Sequence, residues 1–107
     1  MLESFRMFLG LNETEESRKR RLFALAQQLE ELTGHSKSLL KNNTIEIARA
    51  IRDMLATEAV RVQEEDKLKI SKIINRAKVR AIQTGSLDGY RMFKTLDSIS
   101  EDVNPFL

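Results

Sequence analysis

The chain has no cysteine, which excludes a disulfide framework and every thiolate metal site. That absence fits a reducing compartment, so a cytoplasmic location is expected. Tryptophan is also missing, and histidine occurs once, as His35. A single loop histidine beside Gly34, with no second histidine and no paired carboxylate, reads as a surface residue rather than a ligand or base. Long apolar runs are lacking too. The longest uncharged run within the helical region, Leu22 to Leu29, falls far short of the roughly twenty residues that span a bilayer. Met1 to Leu11 is apolar but carries Glu3 and Arg6 without a basic leader and cleavage site, so it does not read as a signal peptide and is expected to stay on the mature protein.

Catalytic patterns are equally scarce. There is no Gly-rich phosphate loop, no paired histidine on a helix and no nucleophile elbow. Glu64, Glu65 and Asp66 are consecutive, so on a helix their carboxylates diverge, and they lack the alternating spacing of a calcium loop. The expectation is a protein that is not an enzyme and holds no cofactor and no metal.

Helix-breaking residues are few: four glycines and one proline in 107 residues. With 41% apolar and 32% charged residues the composition is that of a globular helical chain rather than a disordered one. A chain this short builds one modest core, so residues 1–107 are expected to form a single all-α domain, a small bundle of about four to five helices. Eighteen basic residues stand against sixteen acidic ones, and a net charge of +2 is too small to name a partner.

The organising stretch runs from Thr44 to Thr84, with no Gly or Pro inside it. It reads as a long or bent central helix (44–84). Its first half sets Ile47, Ala48, Ile51, Met54, Leu55, Ala59 and Val62 on one side, and its second half sets Ile70, Ile73, Ile74, Ala77 and Ala81 on a side turned by roughly 80°. An unbroken helix of this length would be a rod of about 60 Å, far too long for a compact domain of this size unless a second copy covered it. A bend near 63–66 is therefore favoured, with Asp66 capping a new helix at Lys67. Before this stretch, Asn12 and Glu15 have the form of a capping box, Leu22, Leu25, Ala26, Leu29 and Leu32 form a stripe, and Gly34 ends a helix over 12–34. Ser36 can open a short helix through Leu39 and Leu40. After the stretch, Gly85 breaks the pattern and Ser86 or Asp88 starts a last helix over 86–103, with Met92, Phe93, Leu96, Ile99 and Val103 on its apolar face.

Three features bear on function. Lys69, Lys72, Arg76 and Arg80 recur at spacings of 3, 4 and 4, which stacks four cations on one flank as a candidate contact for nucleic acid or an acidic partner. Leu68, Val79 and Ile82 lie on yet another side, so this helix is apolar on two flanks. Met1 to Leu11 (the segment 1–11) puts Phe5, Phe8 and Leu9 at helical spacing; with Met92 and Phe93 they are candidate docking residues, either covered by the core or offered to a partner. Arg18 to Arg21 fan around a helix and read as solvated, ion-paired surface, with Glu15, Glu16 and Glu30 or Glu31 nearby. More apolar flank than one small core needs suggests a protein interaction module: a regulator, adaptor or assembly subunit, self-associating as a homodimer or bound to another protein. The alternative is a nucleic-acid-binding protein that uses the basic flank.

Overall fold

The computed structural model describes residues 14–56 and 62–103. Within them the chain is all-α, with five helices and no strand: α1 (Glu15–Thr33), α2 (Ser36–Lys41), α3 (Thr44–Ala56), α4 (Glu64–Gln83) and α5 (Leu87–Val103). The four longer helices form a ring in which α1 lies beside α3 and α4, and α5 lies beside the same two. Helix α2 touches all four and closes one end. Glu30 pairs with Arg76, and Thr33 with Arg80, so α1 and α4 advance in the same direction. The fold is thus two helical hairpins laid side by side, α1/α3 and α4/α5.

Each helix contributes its own stripe to one core. Helix α1 buries Leu22, Ala26 and Leu29, α3 buries Ile47, Ala48, Ile51 and Leu55, and α4 buries Ile70, Ile73, Ile74, Ala77 and Ala81. Leu96, Ile99 and Val103 complete it from α5, and Leu39 plugs the end from α2. The spacing of these residues follows the helical period, which is why the apolar stripes read from sequence become the buried faces. Val62, the last of the first-half set, is half-buried against the same core. Ala59 lies outside the described residues.

Two boundaries differ from expectation. The favoured break in the 44–84 stretch is present, but Asp66 is not the cap of the second helix: α3 ends at Ala56 and α4 begins at Glu64. Gln63, extended at φ −65°, ψ 151°, is the cap, and its carbonyl accepts from the Asp66 and Lys67 amides at 3.1 and 2.9 Å. Starting three residues earlier places Glu64, Glu65 and Asp66 together in the first turn, where all three face the positive end of the helix dipole. The longest dimension across the described residues is no more than 49 Å, shorter than the rod. At the other boundary, α1 is capped by Thr14, whose hydroxyl accepts from the Ser17 amide at 3.0 Å, while Asn12 lies outside the described residues.

The corners are held by side chains. Asn42 Nδ2 donates to the Ser38 carbonyl at 2.8 Å, and buried Thr44 donates through Oγ1 to the Leu39 carbonyl at 2.7 Å, so two of the last carbonyls of α2 are satisfied. Ion pairs tie neighbouring helices, Lys78 to Asp97 at 2.8 Å and Arg52 to Asp102 at 3.5 Å. Gly34 closes α1 with an ordinary right-handed φ of −65°, whereas Gly85, between α4 and α5, takes φ 67°. The last helix starts on Ser86, whose Oγ accepts from the Gly89 amide at 3.0 Å.

Candidate functional site

The basic flank of α4 is largely exposed: Lys69, Lys72 and Arg76 all meet solvent, and only Arg80 is half-buried. It lines a groove between α1 and α4. The lower part of the groove, about 780 Å³, is bounded by Thr33 and Gly34 on the α1 side and by Lys72, Ile73, Val79 and Gln83 on α4, with Arg76 and Arg80 on its wall. A smaller hollow of about 270 Å³ continues upward past Phe23, Asp66 and Lys69, sharing Glu30 and Ile73 with the first. All four cations singled out in the sequence therefore border one track.

Their duties differ. Arg80 donates from Nε to the Thr33 carbonyl at 3.0 Å and from Nη2 to the Gly34 carbonyl at 2.8 Å. Helix α1 has no basic residue in its last turn, so its negative dipole end is answered by a cation from α4. Arg76 pairs with Glu30 at 2.9 Å. Lys69 and Lys72 are exposed and have no ion pair among the described residues. Glu30, which the sequence offered to the Arg18–Arg21 cluster, is spent on Arg76, 46 positions away.

Arg80 and Arg76 should separate on substitution. Arg80→Ala removes two charge-assisted hydrogen bonds from a helix terminus, and since exposed Gly34 can be rehydrated we expect a loss of about 1–2 kcal/mol. Arg76→Ala removes an ion pair whose members are 59% and 51% exposed, and should cost no more than about 1 kcal/mol. Urea midpoints of the two variants check the ordering; equal midpoints would mean that Arg80 does not hold the α1 terminus.

The outward side of α4 is apolar in part. Leu68, Val79 and Ile82 are 60%, 51% and 41% exposed, and Val79 also borders the groove. Phe23, not singled out in the sequence, stands half-exposed at the upper hollow. Met92 and Phe93 are partly buried against the core, so α5 turns them toward its own bundle. Phe5, Phe8 and Leu9 lie outside the described residues. His35 is exposed and serves as the backbone cap of α2, without a side-chain cap bond. Among the described residues no three His, Cys, Asp or Glu side chains converge as a metal site would require, and no helix is long and apolar enough to cross a membrane.

Fold and groove together define a small all-α bundle with a cation-bordered, partly apolar furrow along one parallel helix pair. Set against known proteins, the chain matches no family model, no curated protein and no solved structure.

Proposed function

We propose that the protein is a non-enzymatic helical interaction module, a regulator, adaptor or assembly subunit of the cytoplasm, that engages another protein along α4. The observation that carries this reading is the outward face of α4. Exposed apolar residues scattered singly are ordinary on any surface. Here Leu68, Val79 and Ile82 fall within about 60° of arc on the side opposite the five core residues of the same helix. Water on these side chains is a standing cost that a partner surface would remove.

Nucleic-acid binding is the second reading, because no acidic residue occurs between Lys67 and Leu87. Its support is thinned by the engagement of those cations. Lys67 pairs with Glu64, Arg76 with Glu30 and Lys78 with Asp97, and Arg80 is held by carbonyls. Two unpaired lysines give a salt dependence of slope about 2 on a log–log plot, the behaviour of weak, non-specific retention.

A photoreactive residue at position 79, in the full chain expressed in its native cell, tests the choice, with position 46 on α3 as control. Discrete protein adducts from 79 and none from 46 are expected. An adduct of twice the chain mass identifies a homodimer. Nucleic-acid adducts alone, with column retention falling more steeply than a slope of about 4, would move the assignment to the second reading.

A further inference from the structure

The chemistry of the α1–α4 groove narrows the partner, a step that rests on the interaction reading. Along the track four cations, Lys69, Lys72, Arg76 and Arg80, stand against two carboxylates, Glu30 and Asp66, leaving an excess of two positive charges. Between them the floor and lip are apolar, from Phe23 and Ile70 at the upper end through Ile73 to Val79. From Asp66 to Gln83 the track follows α4 for about 26 Å at roughly 1.5 Å per residue. We infer that this groove receives an acidic amphipathic helix of a partner protein.

Each feature selects against another occupant. The groove walls are helices whose backbone amides and carbonyls are already bonded within α1 and α4, so an extended peptide would find no sheet edge to pair with. A helix satisfies its own backbone and can lay an apolar stripe between Phe23 and Val79 while its flanking carboxylates meet Lys69 and Lys72. Those two lysines have no ion pair among the described residues, so they can form one with a partner without breaking a bond of the fold. A second copy fits poorly: a two-fold axis through the middle of α4 would bring Lys72 of one copy close to Arg76 of the other, and like charges at an interface are strongly disfavoured. The free cations therefore point toward a partner of opposite sign.

Two synthetic helices of about 18 residues with the same leucine stripe, one flanked by glutamate and one by lysine, test the inference on the full-length protein. Fluorescence anisotropy should show the acidic peptide binding at least about tenfold more tightly, with an advantage that shrinks as salt rises. Amide shifts should cluster at Ile73, Asn75, Val79 and Gln83. Lys69→Glu combined with Lys72→Glu should invert the preference while leaving the melting temperature unchanged, since neither lysine holds a structural bond. Equal affinity for both peptides, shifts confined to another face, or displacement of the acidic peptide by dimerisation of the chain each overturns the acidic-helix assignment. If that assignment fails while position 79 still captures discrete proteins, the interaction reading survives and only the sign or shape of its partner is wrong. If position 79 captures none, the broader reading fails as well.

Discussion

Gly89→Val should lower stability by about 2–4 kcal/mol, on the order of 10–30 °C in melting temperature for a domain of this size. Gly89 is buried in the first turn of α5, against the last turn of α4. A Cβ there would overlap Thr84 Oγ1 and the Ala81 carbonyl oxygen, and Ser86 Oγ would lie 3.1 Å away. These atoms are not free to retreat. Thr84 donates to the Ala81 carbonyl at 2.8 Å, and its hydroxyl is 2.9 Å from that of Ser86. Ser86 Oγ in turn accepts from the Gly89 amide at 3.0 Å. Because the Thr84 proton is committed to Ala81, Ser86 is the donor of the hydroxyl pair, and one ordered chain runs from the Gly89 amide to the Ala81 carbonyl. A side chain at position 89 breaks it at two points, each worth about 1 kcal/mol, in addition to the overlap itself.

The other described glycines rank the effect. Gly85→Ala forces a non-glycine residue to φ 67° with nothing within 4 Å of the new methyl, a cost of about 1–2 kcal/mol from backbone strain alone. Gly34→Ala keeps an ordinary φ and meets only the Glu31 carbonyl at 3.3 Å, so it should be the mildest. Thermal melts should give the order Gly89, Gly85, Gly34. A Gly89 variant milder than the Gly85 variant would show that the α4–α5 corner has slack. Adding Thr84→Ala to Gly89→Ala should recover only part of the loss, because the Ala81 carbonyl belongs to the backbone and stays in the way.

Gly89 also marks where sequence reasoning stops. A glycine inside a helical pattern usually has a packing reason, but the pattern does not say which neighbour crowds it. Periodicity told more. Ile70, Ile73, Ile74, Ala77 and Ala81 were legible as a buried face because a residue's direction on a helix depends only on its position. For the same reason Leu68, Val79 and Ile82 were legible as a separate flank. Asp66 misled because acidic residues serve equally as caps and as first-turn residues, and only the extended backbone at Gln63 decides between them. The basic flank was visible as a row, but its use was not: Arg76 and Arg80 meet partners on α1 that are 46 and 47 positions away. One local signal did exist. The last turn of α1 carries no cation of its own, which leaves its terminal carbonyls open to a donor from elsewhere in the chain or to water.

Leu39→Ala should cost about 2–5 kcal/mol, the range for a leucine removed from a packed core that cannot fully collapse. Helix α2 has six residues, too few to hold helical structure in water without packing, and Leu39 is its only buried apolar side chain. Leu40→Ala, at a half-buried position, should cost less than half as much. The consequence reaches the groove, because α2 leaves α1 through Gly34, the residue whose carbonyl Arg80 holds. Arg80 and Leu39 thus fix the same corner from two sides, one by charge and one by packing. A double-mutant cycle of Arg80→Ala and Leu39→Ala should show a coupling of at least about 0.5 kcal/mol, as neighbouring residues do. Hydrogen exchange in the Leu39 variant should quicken first at the α2 amides and the corner, while α4 stays protected. Strict additivity, with uniform loss of protection across all five helices, would mean that α2 merely shares in global unfolding and does not brace the end of the groove.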